Sequence, residues 1–88
     1  MVEDAEGTEN GIPYMDFDDT NAVAYLHYRG HKFVPFKKEG GRVCFRVYGE
    51  GIRLHIDEMY QNKEVKVQDF VKCTKAVRNS LFVTKGMT

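Results

Sequence analysis

The chain has 88 residues, 13 of them basic and 13 acidic, and this length suits one domain with a single small core. No apolar run approaches the roughly 18 residues that cross a membrane, and the acidic N-terminus does not resemble a signal peptide. With only two cysteines, a disulfide-rich scaffold is excluded as well. We therefore expect a soluble cytoplasmic protein in which Cys44 and Cys73 are reduced and buried.

The zero net charge conceals a strong separation of charge along the chain. Seven acidic residues precede the first basic residue, Arg29, and they are Glu3, Asp4, Glu6, Glu9, Asp16, Asp18 and Asp19. From Asn21 onward there are thirteen basic and six acidic residues, a net charge of +7. This asymmetry predicts that the basic part meets an acidic partner, and that the acidic part either screens it or is itself the recognition element.

Residues 1–15 are predicted to form a flexible acidic arm, and residues 16–84 a compact domain. The arm mixes Glu, Asp, Gly, Thr and Asn with almost no aliphatic side chains, which is the composition of a disordered tail. Tyr14, Met15 and Phe17 interrupt this polar stretch, and we expect them to anchor its end onto the domain.

The first helix is predicted over residues 20–29. Asp18, Asp19 or Thr20 can cap it, because a short side-chain oxygen accepts hydrogen bonds from the free backbone N–H groups of the first turn. Gly30 can end it, since glycine adopts the left-handed conformation that follows many helices. The residues expected to face inward are Ala22, Val23 and Leu26.

A β-hairpin is predicted next, with strands over residues 31–38 and 42–48. The second strand alternates apolar and polar side chains, which is the period of a half-buried strand. Glycines in residues 39–41 favour a tight turn between the strands. Pro35 has no backbone N–H to donate, so we expect its strand to lie at an edge of the sheet.

Two further helices complete the predicted order. The apolar residues that recur at helical spacing after the hairpin are Ile52, Ile56, Met59 and Tyr60. Ile52, Leu54 and Ile56 also alternate, which leaves a short strand as the alternative. The last helix is predicted over residues 68–82. Its apolar face is formed by Phe70, Cys73, Thr74, Val77 and Leu81.

Metal-binding and catalytic patterns are not found. His27, His31, Cys44 and Cys73 are the four candidate zinc ligands, but their spacing does not match that of known zinc sites. No local pairing of a nucleophile with a base is visible, and no glycine-rich phosphate loop is complete. The sequence therefore predicts a protein without cofactor, metal or catalytic residues, and an enzyme is only the third hypothesis.

Basic residues form two candidate binding surfaces. The last helix places Lys72, Lys75, Arg78 and Asn79 on one arc, with Lys66 before it. The hairpin carries Lys37, Lys38, Arg42 and Arg46 among aromatic residues. Cations contact phosphates and aromatic rings stack on bases, so both surfaces are candidates for contact with nucleic acid or another partner. The structural alternatives are a solvated helix face and an edge strand that is protected by its lysines.

Val71 and Phe82 lie on the same side of the last helix as its basic residues, because eleven residues are close to three turns. Exposed apolar groups among charges indicate a protein interface, and a second copy of the chain is one candidate partner. The alternative is that the preceding helix covers both side chains.

Several segments of the sequence are similar to segments of other proteins. They are residues 19–26, 29–32, 41–47, 59–63, 67–70 and 75–81. Over about residues 16–83 the chain resembles a family of short uncharacterised proteins found in bacteriophages and bacteria. That resemblance implies a short helix, a hairpin and two helices, and an accessory protein that acts in the host cytoplasm. It implies no site residues, because the family has no assigned function.

Taken together, these patterns predict an α+β domain of helix–hairpin–helix–helix order with a disordered acidic arm. We expect a non-enzymatic phage-type regulator that binds host or phage nucleic-acid machinery and contacts DNA or RNA through the basic last helix. The alternative is an inhibitor or adaptor that binds only protein, through Val71 and Phe82 or through the acidic arm.

Overall fold

The computed structural model describes residues 2–86 of the chain, and the side chains from residue 6 onward. They form a four-stranded antiparallel sheet and three α-helices, so the predicted α+β class is confirmed. The elements in chain order are β1 (Val2–Glu9), β2 (Ile12–Phe17), α1 (Thr20–Tyr28), β3 (Lys32–Lys37), a short 3-10 turn (Glu39–Gly41), β4 (Val43–Tyr48), α2 (Ile52–Tyr60) and α3 (Val67–Gly86).

The N-terminal segment is the main correction to the predicted fold. The sequence predicted a flexible arm over residues 1–15, but β1 and β2 pair there as an antiparallel hairpin. Asn10 and Gly11 form its tip with φ values of 52° and 79°, as two-residue hairpin turns require. The acidic composition is typical of a disordered tail, and it outweighed this turn signal in the prediction. In the folded protein the segment is ordered, because its charged side chains find partners in the rest of the domain.

β2 lies inside the sheet, whose strand order is β1-β2-β4-β3. It pairs with β4, so that Met15 lies opposite Val47 and Phe17 opposite Phe45. All four side chains are buried. The predicted boundary between residues 15 and 16 thus falls in the middle of a central strand, and two strands must be added before the first helix of the predicted order.

The remaining elements agree with the sequence prediction. Helix α1 begins after Asp19, whose side-chain oxygen accepts a 2.9 Å hydrogen bond from the N–H of Asn21. Strands β3 and β4 pair antiparallel, and Pro35 lies in β3 at the sheet edge. Residues Ile52–Tyr60 are helical, so the alternative of a third strand there is wrong. Helix α3 is longer than predicted at both ends.

One core joins these elements. Three inward residues of α1, Ala22, Val23 and Leu26, are almost completely buried, as the sequence predicted. Ile52 and Ile56 enter the same core from α2, and the core residues of the sheet and of α3 are Met15, Phe17, Val43, Phe45, Val47 and Val77. Each such aliphatic or aromatic side chain contributes about 1.5–3 kcal/mol on burial. The core therefore fixes α1 and α3 on one side of the sheet.

Neither cysteine is in a disulfide, and Cys44 is buried whereas Cys73 is half-buried. Burial raises the pKa of the Cys73 thiol, and the charge of nearby Asp69 adds to this. Among the residues described, no helix combines the length and the apolar character needed to cross a membrane.

Candidate partner-binding surface

Helix α3 has one packed side and one basic, exposed side. Phe70, Cys73 and Val77 lie on the packed side and contact the core. Because the helix turns once every 3.6 residues, the residues between them project the opposite way. Six exposed residues on that opposite side form what we call the outer face of α3: Val71, Lys72, Lys75, Arg78, Asn79 and Phe82.

The three cations of the outer face have no carboxylate partner within the part of the chain that the structure describes. Lys66 is also exposed and lies just before α3. Its backbone N–H donates a 2.9 Å hydrogen bond to the hydroxyl of Tyr28, which fixes the start of α3 against α1. The outer face therefore carries charge that the protein does not neutralise in its own fold.

Apolar side chains lie among these cations. Phe82 is 67% exposed and Val71 is 38% exposed, so the structural alternative in which α2 covers them is wrong. Val83 on the next position is 65% exposed as well. The outer face is thus a mixed apolar and cationic surface along the length of one helix.

The basic residues of the hairpin are in a different position. Arg42 donates to the Asp18 carboxylate at 2.6 Å. Arg46 donates two hydrogen bonds to Asp16, and hydrogen bonding by this carboxylate raises the pKa of the guanidinium above its usual value. Lys37 and Lys38 also make interactions within the fold. The hairpin cations are therefore engaged, and they do not join the outer face of α3.

Two glutamates of the acidic β1–β2 hairpin pair with side chains of β4 and α2. Glu6 pairs with Arg53 of α2 at 2.5 Å, and Glu9 accepts a 2.9 Å hydrogen bond from the Tyr48 hydroxyl. Glu9 also approaches Arg46 to 3.6 Å. Part of the charge separation along the sequence is thus compensated in space, because the acidic hairpin lies beside Arg46 and Arg53 in the fold.

Aromatic rings frame Arg46 on the side of the sheet that faces away from the core. Its guanidinium lies 4.0 Å from the centre of the Tyr14 ring and 5.4 Å from that of Phe36. Tyr14 and Tyr48 meet edge to face, with ring centres 6.2 Å apart. The cation is therefore held by two rings as well as by carboxylates, which leaves little of it for a ligand.

A histidine pair is the feature that sequence reasoning missed. His31 lies three residues after the end of α1 and is buried, and its Nε2 lies 2.7 Å from Nδ1 of His55 in α2. The other ring nitrogen of His31, Nδ1, lies 2.8 Å from the carbonyl oxygen of Tyr48. The sequence grouped His31 with His27 instead, and no local pattern signals a contact between residues 24 positions apart.

Backbone geometry at Gly49 makes room for this pair. Gly49 has φ of 123°, and a Cβ atom at this position would lie 2.8 Å from Nδ1 of His31. A glycine is therefore required both by the backbone conformation and by the close approach of the ring. Burial lowers the pKa of His55, and the charges of Arg29 and His31 lower it further.

The candidate zinc ligands are not brought together. His27 contacts the carbonyl oxygen of His31 through Nδ1 at 3.3 Å, and its ring meets Phe33 edge to face. Over the described part of the chain, no group of three or more His, Cys, Asp or Glu residues is placed to hold a metal ion.

Comparison with protein-family models, with curated proteins and with solved structures found no match to this chain. The family resemblance drawn from the sequence therefore stays a prediction. The function has to be inferred from the surfaces and contacts described above.

Proposed function

We propose that this chain is a non-enzymatic accessory protein that binds nucleic-acid machinery, and contacts DNA or RNA, through the outer face of α3. One observation carries the proposal. Lys72, Lys75 and Arg78 are exposed and have no carboxylate partner among the described residues, whereas Arg42 and Arg46 are paired within the fold. A phage or host origin for the machinery follows the family resemblance and stays a prediction.

The spacing of the three cations supports contact with a phosphate backbone. They recur every three residues, so they are about 4.5 Å apart along the helix axis. A nucleic-acid strand presents one phosphate for roughly every 3.4 Å of axial rise, so neighbouring cations can engage successive phosphates. Phe82 lies one turn beyond Arg78 and offers a ring on which an unpaired base can stack.

A protein partner is the second candidate, and a specific observation favours it. Val71 and Phe82 are both exposed on the outer face, and Val83 lies beside them. Aromatic and arginine side chains are enriched among residues that dominate protein interfaces. An acidic protein with an apolar centre to its binding surface would therefore complement this face, and it would do so without touching nucleic acid.

Charge reversal on the outer face tests the first candidate. We expect Lys75→Glu/Arg78→Glu to abolish binding to a mixed-sequence single-stranded oligonucleotide in a fluorescence anisotropy titration. Arg53→Glu/Lys63→Glu is the matched control, because it changes the net charge equally at exposed positions outside α3. With three phosphate contacts on a single strand, affinity should fall about twentyfold between 50 and 200 mM salt. Equal loss in the two variants, or no salt dependence, would contradict the nucleic-acid proposal.

Removal of the apolar side chains tests the second candidate. Val71→Ser/Phe82→Ser leaves every cation in place, and because both sites are exposed it should change the free energy of unfolding by less than about 0.5 kcal/mol. A nucleic-acid binder should still bind the oligonucleotide with the same salt dependence, and its affinity should weaken only by the roughly 1–3 kcal/mol that stacking of one base on Phe82 contributes. A protein binder should lose the partner that the immobilised wild-type chain retains from its host, while binding no oligonucleotide at all.

A further inference from the structure

The histidine pair borders an open cavity that the outer face of α3 does not reach. The cavity has a volume of about 430 Å³ and lies between the end of α1, the end of β4 and the start of α2. His31 and His55 both line it. The other polar or charged side chains of its lining are those of Arg29, Lys32, Tyr48 and Glu50.

Hydrogen bonding determines which nitrogen of each ring carries a proton. A carbonyl oxygen only accepts, so Nδ1 of His31 must donate its proton to the oxygen of Tyr48. In the neutral ring, Nε2 of His31 is then an acceptor, and it must receive the Nδ1–H of His55. Neutral His55 is left with an unprotonated Nε2, which is the atom of the pair that no protein group in the described structure engages.

The pair can accept one proton without losing a hydrogen bond. A proton on Nε2 of His55 makes that ring a donor at both nitrogens, and its bond to His31 remains. A second proton, on Nε2 of His31, would set two N–H groups against each other across 2.7 Å. Proton exchange is thereby directed to a single atom, Nε2 of His55, in the way that a buried partner orients the imidazole of a catalytic triad.

Charge in the cavity selects the kind of ligand. Arg29 and Lys32 are cationic and Glu50 is the one acidic residue of the lining, so the net charge favours an anion. A metal cation is disfavoured by the same charges. Glu58 holds Arg29 in place, 3.1 Å from its Nε, and balances part of its charge, so Lys32 is the cation of the lining that has no carboxylate partner among the described residues. Lys32 and Glu50 are exposed at the rim, where their side chains can move to admit a ligand.

We propose that this cavity binds a phosphate monoester, with Nε2 of His55 sharing a proton with a phosphate oxygen and with Arg29 and Lys32 balancing its charge. The second ionisation of a phosphate monoester lies near pH 6, close to that of imidazole. Either the protonated ester donates to His55, or protonated His55 donates to the dianion. Near neutral pH the ester is mainly a dianion and the depressed pKa of His55 keeps Nε2 unprotonated, so binding there takes up one proton from solvent, and this is the proton that the two groups share.

The protonation pattern can be measured directly in the wild-type protein. Long-range ¹H–¹⁵N spectra at pH 7.5 should show His55 mainly as the tautomer protonated at Nδ1, which is the less common one for a solvated histidine. Phenyl phosphate, used as the probe, should shift the Nε2 resonance of His55 more than either nitrogen of His27. A His55 ring protonated at Nε2, or equal shifts in His55 and His27, would overturn the proposal.

Two asparagine variants separate binding from folding. In His55→Asn the side-chain amide nitrogen occupies the place of Nδ1 and keeps the bond to His31, but no atom replaces Nε2. Affinity for phenyl phosphate should therefore fall about tenfold, as expected for the loss of one hydrogen bond to a charged group. His31→Asn should keep the hydrogen bond to the carbonyl oxygen of Tyr48. It removes the ring nitrogen that accepts the Nδ1–H of His55, so His55 is no longer fixed in one tautomer. His27→Asn is the control, and it should leave affinity unchanged.

Phenyl sulfate distinguishes proton sharing from simple attraction. At pH 5.5 the two esters are mainly monoanions of the same shape, but only the phosphate retains a proton to share. Phenyl phosphate should bind about tenfold more tightly, because the sulfate lacks the hydrogen bond to Nε2. Equal affinity for the two esters, or affinity unchanged in His55→Asn, would show an adventitious anion site only. The spectra of the wild-type protein remain decisive if a variant fails to fold.

Discussion

Arg46 of β4 donates two hydrogen bonds to Asp16 of β2, from Nε to Oδ1 at 2.8 Å and from Nη2 to Oδ2 at 3.0 Å. The Asp16 side chain is only 3% exposed, and that of Arg46 is 31% exposed. The two residues face each other across the central strand pair of the sheet. The acidic and basic parts of the sequence are therefore joined by a partly buried ion pair in the middle of the fold.

Removing one partner of this pair should destabilise the protein. Asp16→Asn leaves the Arg46 guanidinium without its bidentate partner, and we expect a loss of about 2 kcal/mol in the free energy of unfolding. The loss is below the roughly 3–5 kcal/mol found for fully buried pairs, because Arg46 retains some contact with water. Urea unfolding measures it, and Asp57→Asn at an exposed position serves as the control. Equal midpoints for the two variants would show that the pair contributes little.

Local patterns predicted most of the helices and the second hairpin, because each depends on contacts within a few residues. The cap at Asp19, the glycine turn and the alternation in β4 are all of this kind. The first hairpin was missed although Asn10-Gly11 is a strong turn signal, since its acidic side chains have the composition of a disordered tail. Their partners lie far along the chain, as the separation of 47 positions between Glu6 and Arg53 shows.

Local sequence patterns likewise predicted some of the candidate sites, whereas others depend on the tertiary fold. Helical spacing alone placed Lys72, Lys75 and Arg78 on one side of α3, because a helix maps sequence directly onto faces. It did not show that Arg42 and Arg46 would be paired, since that depends on which strands become neighbours. The contact between His31 and His55 likewise requires the full topology, and it has no counterpart in sequence spacing.

The histidine pair should make stability depend on pH. Burial lowers the pKa of His55 below its usual 6.5 in the folded state, so the unfolded chain binds the proton more readily. The associated stability is complete above the unfolded pKa and is lost as the pH falls from about 6.5 towards the folded pKa. Urea unfolding at pH 7.5 and 5.5 should show this loss. The depressed pKa of Glu58 acts in the same direction but only below its usual 4.5.

His55→Asn provides the comparison for this pH effect, because it retains the donor to His31 but cannot titrate. Its stability should change less between pH 7.5 and pH 5.5 than that of the wild-type protein. His27→Asn should follow the wild-type profile, since it removes a histidine outside the pair. Identical profiles for all three proteins would mean that the pair does not control stability in this range.

Gly49→Ala should destabilise the protein and disturb the histidine pair together. The new Cβ would lie 2.8 Å from Nδ1 of His31, and the φ of 123° is strained for any residue with a side chain. We expect a loss of about 1–3 kcal/mol from the backbone conformation alone. Thermal unfolding measures the loss, and the His31 ring resonances should shift as well. Gly86→Ala is the control, since nothing lies within 4 Å of its Cβ position. A change no larger than in this control would contradict the assigned role of Gly49.

The acidic hairpin should weaken attraction between the basic surface and an acidic partner, but deletion is a poor test of this. Removing residues 1–13 would also remove β1 and break into β2, which carries core side chains. Glu6→Gln/Glu9→Gln keeps the strands and frees Arg53 and Arg46 from two carboxylates. We expect oligonucleotide affinity to rise roughly threefold at 25 mM salt, as for the loss of exposed ion pairs, and the gain to vanish at 200 mM.

Asp57→Asn/Glu64→Gln is the matched control for this change, because it removes two exposed carboxylates that lie outside the hairpin. An equal gain in the control would mean that only net charge matters, and that the hairpin has no special screening role. A loss of binding in Glu6→Gln/Glu9→Gln would mean the reverse of screening. The acidic residues would then contact the partner themselves, because neutralising them increases the net positive charge and can weaken binding only if a direct contact is lost.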